Sequence, residues 1–287
     1  MSLVAAATDD DIAPADYLAR LGQSGDGPHD IATAALMLAA LDHPERKLAP
    51  LRNHLAEIGE AARAEVEFAR NADAAANALS QVLAARYGYD GDRALYDDSA
   101  SADLIQVIER RRGLPVALGI LYIHAGRAAK LNAQGLFAPG HFLLKITHKG
   151  SEALIDPFNG GAILDRERMT PSFSVPALMG EPTQLDEPSP FEPVSDIDVL
   201  LRLQNNIRNR ALKRHDGARA IEIGRRMTAI APRRSVLWLE LGRLQEAAGA
   251  LSAARVSYVL CIQAARTADP FHNEATLALE ALKRRIN

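Results

Sequence analysis

Apolar residues recur at three- and four-residue steps through Leu51, Leu55, Ile58, Ala62, Val66 and Ala69, one stripe of an amphipathic helix. Before it, IATAALMLAAL reads as a helix that Asp30 can cap, and residues 1–29, rich in Asp, Gly and Pro, are expected to be partly loose. A third helix carries Leu79, Val82, Leu83 and Tyr87 on its apolar face. The turn-forming YGYDGD follows, then SADLIQVIERRRG, a short helix stopped by Gly113. After Pro115, VALGILYIHAGRAAKL is apolar nearly all round, which predicts a central helix enclosed by protein on most sides. Pro115 suits its first turn, where a missing N–H removes no internal hydrogen bond. From Leu136 the pattern shifts to short strands: GLFA, HFLLKIT, a polar turn HKGS, and EALIDPF.

The hairpin register follows by counting. With His148 to Ser151 as the turn, Thr147 faces Glu152, so Leu143 faces Asp156, and directly opposed residues share a face. His141 lies two residues from Leu143, on that same face, with Asp156 as its diagonal neighbour. A carboxylate that orients an imidazole is an arrangement used in acid–base and nucleophilic catalysis. His141 and Asp156 are therefore the candidate catalytic pair, expected within hydrogen-bonding reach.

Residues 171–193 hold six prolines, too many for a helix or a central strand, and read as a linker or a strap over the first domain. From Ser195 the chain turns helical again in four or five segments of 14–20 residues broken at HDG, APRR, AGA and ADP. A shift of 34 residues brings Ala220 onto Ala254 and Met227 onto Cys261, and 34 is the tetratricopeptide period. The expected organisation is an N-terminal segment over residues 1–35, an α+β core over 36–170, the proline-rich stretch over 171–194 and helical repeats over 195–287.

Charge divides along the same line. Residues 1–194 carry 17 Lys and Arg against 27 Asp and Glu, a balance of −10, while residues 195–287 carry 16 against 9, a balance of +7. Ten Lys and Arg fall within residues 201–234 alone, opposed by Asp216 and Glu222. Helical spacing puts Arg210 and Arg214 on one face and Arg219 and Arg226 on the next helix, so the partner-binding candidates are these four. The expected partner is a protein or peptide, an acidic one by charge complementarity; the chain's own acidic half is the alternative. Few aromatics stand ready to stack bases, so nucleic acid is not the expected partner.

No apolar run approaches the roughly 18–20 residues of a membrane-spanning helix, and MSLVAAATDDD lacks the basic flank and apolar core of a secretory signal, so a cytoplasmic location and no membrane association are expected. One cysteine, Cys261, excludes an internal disulfide framework and a cysteine-built zinc site. The histidines show no metal-ligand spacing, and no phosphate loop or dinucleotide fingerprint occurs; no metal or cofactor is expected.

ERRRGLPVALGILYIHAGRAAKL, GLFAPGHFLLKI and LIDPFNGG together resemble the bacterial transglutaminase-like core proteins with C-terminal tetratricopeptide repeats, the SirB-type proteins. The similarity spans roughly residues 36–287, with RRGLP, PGHF and DPFNGG as its most specific parts. It implies a papain-like transglutaminase core, a central helix packed on an antiparallel sheet, followed by an all-α tetratricopeptide-like repeat domain. In active relatives a Cys at the helix N-terminus, a His and an Asp form a triad. The His falls on His141 and the Asp on Asp156, and the Cys position falls at or beside Pro115, where this chain has no thiol. A thiol there would be activated by the helix terminus and the imidazolium; Pro, Val or Ala offers no nucleophile. Cys261 reads as a buried structural residue. The expected function is that of a non-catalytic, pseudo-enzyme binding module using its vestigial pocket and repeat groove. The alternative is a hydrolase or acyl transferase in which His141 and Asp156 serve an unidentified nucleophile or an activated water, with Ser99 and Ser101 as the hydroxyls near the helix. Candidate ligand-binding residues are Arg111, Arg112, Gly113, Pro115, Tyr122 and Asn159.

Overall fold

The computed structural model describes residues 12–93, 99–138, 141–164, 191–266 and 269–286. These divide into two compact units, one drawn from residues 12–20, 26–164 and 191–200, the other from residues 21–25 and 201–286. Most of the proline-rich stretch lies outside the described residues, as do Pro139 and Gly140.

Part of the segment expected to be loose is helical. α1 (Pro14–Ser24) buries Leu18 and Leu21, and Asp16 in its first turn complements the helix dipole. α2 (Ile31–Ala40) starts where Asp30 accepts the Thr33 amide at 3.1 Å. α3 (Ala49–Val66) buries the expected stripe Leu55, Ile58, Ala62 and Val66. α4 (Ala72–Ser80) does not continue as a regular helix: it widens into a π-helical turn over Gln81–Arg86, closed by the Tyr87 amide on the Val82 carbonyl. α5 (Leu104–Arg110) also departs from the sequence reading. It ends at Arg111, in the left-handed region at φ 57°, two residues before Gly113.

α6 (Pro115–Ala128) is the central helix, with ten residues of its first twelve buried. It lies on a five-stranded antiparallel sheet of order β6-β5-β4-β3-β7, where β3 is Asn132–Ala138, β4 His141–His148, β5 Ser151–Asp156, β6 Ala162–Leu164 and β7 Pro193–Val194. Thr147 pairs with Glu152 and His148 with Ser151, the register obtained by counting. The connecting Lys149 and Gly150 both have positive φ, 48° and 77°, as a two-residue hairpin turn requires.

Alternation along β4 assigns the two faces of the sheet. Phe142 sits in the slot left by Gly119 of α6, where a Cβ would fall 2.2 Å from its ring, and Ile146 approaches Gly126 of the same helix. Phe142, Leu144 and Ile146 therefore face α6. Leu143 packs instead with Leu136 and Leu154 against Leu164 and Phe191, on the opposite face.

The second unit is helical: α7 (Asp196–Lys213), which begins in the first unit, α8 (Gly217–Ile230), α9 (Ser235–Ala247), α10 (Leu251–Ala264) and α11 (Pro270–Ile286). α8 and α10 are both 14 residues long, start 34 residues apart, and bury the equivalent pairs Ala220 with Ala254 and Met227 with Cys261. Leu239, Tyr258, Cys261, Ala275 and Leu282 form the core of the last three helices, Tyr258 lying against Gly242.

Candidate functional site

The start of α6 is held by its backbone neighbours. Two short strands, β1 (Asp90–Gly91) and β2 (Arg112–Gly113), pair in parallel, so that the Asp90 amide bonds the Arg111 carbonyl and the Asp92 amide the Gly113 carbonyl. Leu114, in extended conformation, donates its amide to the Ser101 carbonyl at 2.7 Å, and Pro115 opens the helix. Ser101 therefore lies directly beside the helix start. Its hydroxyl donates to the Asp92 carboxylate at 2.8 Å, and Arg110 approaches the same oxygen at 3.3 Å. Ser101 and Asp92 are buried, at 0% and 5% exposure, so this hydroxyl is bound to a carboxylate inside the protein. Gly113 is buried too, packed on the Val107 methyl groups.

His141 is exposed at the first position of β4, on the sheet face that carries Leu143. Asp156 ends β5 and is buried. Its Oδ1 accepts from the Phe158 and Asn159 amides at 2.9 and 3.3 Å, and its Oδ2 accepts from Asn159 Nδ2 at 2.5 Å. These bonds cap the short 3₁₀ turn Pro157–Asn159. Asn159 in turn accepts from Arg93, whose guanidinium lies 5.2 Å from the Phe158 ring centre. Within this frame Asn159 acts as a brace for the loop.

The turn continues through Gly160 and Gly161, both at positive φ, and closes onto the central helix at Tyr122. A Cβ on Gly161 would fall 2.6 Å from the Tyr122 hydroxyl. Tyr122 is 1% exposed, and burial raises its pKa well beyond the ordinary tyrosine value, with the Asp90 and Asp156 charges adding to the effect. Ser80 lies beside it and sends its own hydroxyl to the Gly160 carbonyl at 2.5 Å.

Arg111, one of the candidate ligand-binding residues, is engaged within the protein. Its left-handed backbone turns the guanidinium onto the face of Tyr89, 4.7 Å from the ring centre, where it donates to the Tyr89 hydroxyl and reaches Nε2 of His54. Burial pushes the Tyr89 hydroxyl up to about 12 despite the opposing Arg111 charge. Burial lowers the His54 pKa, and Arg111 lowers it further. Arg112 is exposed and donates to the Gly88 and Arg111 carbonyls. The His54–Tyr89–Arg111 cluster escapes sequence reasoning because its members lie 22 to 57 positions apart; the only local signal was the aromatic pair in YGYDGD.

The four partner-binding candidates divide. Arg210 and Arg226 are buried, at 7% and 6% exposure. Arg226 donates to Glu222, which Arg219 also contacts at 2.8 Å, and Arg210 donates to the Asn206 carbonyl at 2.9 Å. Arg214 is exposed and Arg219 partly so. Arg208, fully within the helical interior, pairs with Glu240 at 2.6 Å. Cys261 is also buried, and that burial pushes its thiol up to about 11. Among the described residues no group of three or more His, Cys, Asp or Glu could hold a metal ion, and no helix is long and apolar enough to cross a membrane.

A family model described as the transglutaminase-like superfamily matches residues 49–205. A UPF0162 protein of Xylella fastidiosa (strain 9a5c) is 27% identical over 220 residues, covering 74% of this chain and 78% of the relative. A UPF0162 protein of Vibrio cholerae is 31% identical over 132 residues, 46% of this chain and 49% of its own. The F-box only protein 21 of Mus musculus is 28% identical over 83 residues, 29% of this chain and 13% of its own. No solved structure matches.

Proposed function

We propose, on the premise that this chain belongs to the transglutaminase-like superfamily, that it is a non-catalytic member which binds a protein or peptide. The observation that carries this reading is the alternation of β4. Phe142 and Ile146 meet the central helix, so His141, one position out of phase, projects from the other face of the sheet. A nucleophile at the start of α6 would need that imidazole on its own side, and the residues there are Leu114, Pro115 and Val116. Asp156, with three donors from its own loop, serves as an architectural cap in this reading.

The helical unit supplies the binding surface. The 34-residue offset of α8 and α10 and their matched buried alanines support tetratricopeptide-like hairpins, and with them the SirB-type grouping suggested by RRGLP, PGHF and DPFNGG. With Arg210 and Arg226 drawn inside, the exposed cations offered to an acidic partner include Lys213, Arg225 and Arg233.

The test compares wild type with His141→Ala using a glutamine-donor peptide and a primary amine, with amide hydrolysis followed in parallel. Equal background turnover in both proteins is the expected result. Turnover that disappears with His141 would establish an enzyme and overturn the proposal.

A further inference from the structure

The outward face of α3 carries a groove. Its volume is about 570 Å³, and Asn53, Ala56, Glu57, Glu60, Ala61, Arg86 and Tyr87 line it. Since Leu55, Ile58, Ala62 and Val66 face inward, positions 53, 56, 57, 60 and 61 fall on the opposite side of the helix. The other wall is the end of the π-helical turn, where Arg86 is followed by Tyr87. A π-turn is a costly departure from regular helix and recurs at functional sites, where it aims side chains that α-helical spacing would place elsewhere.

Two features define what fits. The floor is apolar, made by two alanines and the Tyr87 ring, which His54 holds edge-on at 5.3 Å. Phe68, just beyond the end of α3, is a further exposed apolar side chain, at 81%. The rim is acidic: Glu57 and Glu60 are 67% and 70% exposed and one helical turn apart. Glu60 is paired with Arg63. Glu57 reaches His54 Nδ1 at 3.8 Å, and burial and Arg111 lower the pKa of that ring while Glu57 raises it, so this pairing is a weak one. Glu65 adds one more exposed carboxylate on the same helix, and Glu67 another just beyond its end.

We propose that this groove docks a basic amphipathic segment of a partner protein, an apolar side chain entering over Tyr87 and Ala56 while Lys or Arg pairs with Glu57 and Glu60. Complementary charge sets orientation and association rate, and the apolar floor supplies the anchor. Arg86, 5.4 Å from the Tyr87 ring centre, is the like-charged element that discriminates against an over-basic ligand. The site is independent of the reading of His141 and of the helical unit.

The test titrates the full chain with a fluorescent amphipathic Leu/Lys helical peptide and with its Leu/Glu counterpart. The Leu/Lys peptide should bind, more weakly as salt rises, and the Leu/Glu peptide should not. Glu57→Gln with Glu60→Gln should weaken binding on the order of tenfold, whereas neutralising Asp16 and Glu45, exposed carboxylates outside the groove, should change it less than about twofold. Arg86→Ala should tighten binding. Failure of the Leu/Lys peptide to bind, equal loss from the two pairs of substitutions, or weakening by Arg86→Ala would overturn the proposal; none of these outcomes bears on His141-dependent turnover.

Discussion

Arg127, in the last turn of α6, reaches Asp196 at the start of α7 through two parallel bonds, NH1 to Oδ2 at 2.6 Å and NH2 to Oδ1 at 2.8 Å. The same guanidinium holds the Ala133 and His29 carbonyls, and Asp196 accepts the His29 amide at 2.7 Å. One ion pair thus ties the central helix to β3, to the chain before α2 and to the first turn of α7. Asp196→Asn keeps the shape of the acceptor but leaves a guanidinium without its anion. Breaking a buried pair from one side costs about 3–5 kcal/mol; because 29% of the Arg127 side chain still meets water while Asp196 is 4% exposed, we expect roughly 2–4 kcal/mol. Urea unfolding followed by far-ultraviolet circular dichroism should show a lower midpoint with an unchanged slope. Replacing both partners by leucine removes the stranded charge along with its counter-ion, and leaves the His29 amide without its acceptor, a cost of about 1–3 kcal/mol, and the Ala133 and His29 carbonyls without the Arg127 donors. The double variant should therefore be clearly more stable than the sum of the Arg127→Leu and Asp196→Leu losses implies. An Asp196→Asn cost below about 1 kcal/mol, or strict additivity in the cycle, would refute the assignment of this pair as a buried tie.

Further outcomes follow from the site and its surroundings. Gly161→Ala should lower the melting temperature more than Gly150→Ala: both have φ of 77°, worth about 1–2 kcal/mol of backbone strain, but only the Gly161 methyl meets the Tyr122 hydroxyl, and Tyr122→Phe should recover part of the difference. His54 has a folded pKa below its ordinary value of 6.5, so the unfolded chain takes up its proton first. Its contribution is complete above about pH 6.5 and is lost as pH falls through that value; unfolding free energies from about pH 8 to about pH 5 should slope less steeply for His54→Gln, and equal slopes would sink the idea. Thiol reagents should label Cys261 slowly in the native protein and rapidly in denaturant, since the group is buried with its thiol pushed up to about 11; fast native labelling would show an open site.

The sequence by itself determined whatever depends on neighbours along the chain. The start of α6 at Pro115, the pairing of Thr147 with Glu152, the turn at Lys149 and Gly150, and the equal spacing of α8 and α10 are each local in origin, set by periodicity, capping and turn chemistry. α1 was missed because its stripe is short and its composition reads as turn. Counting placed His141 and Leu143 on one face, but it could not tell which face meets the helix. HFLLKIT is apolar on both sides, since Phe142 and Ile146 pack on α6 while Leu143 joins Leu136 and Leu154 beyond the sheet, and a strand covered on both faces loses the alternation that would reveal its orientation. The burial of Arg210 and Arg226 was hidden for a related reason: spacing defines which residues share a helix face, and only the packed neighbours decide whether that face meets water. The His54, Tyr89 and Arg111 cluster belongs wholly to the tertiary structure. It forms because the widened turn after α4 and the left-handed Arg111 bring distant side chains to one place, and no periodicity encodes that meeting.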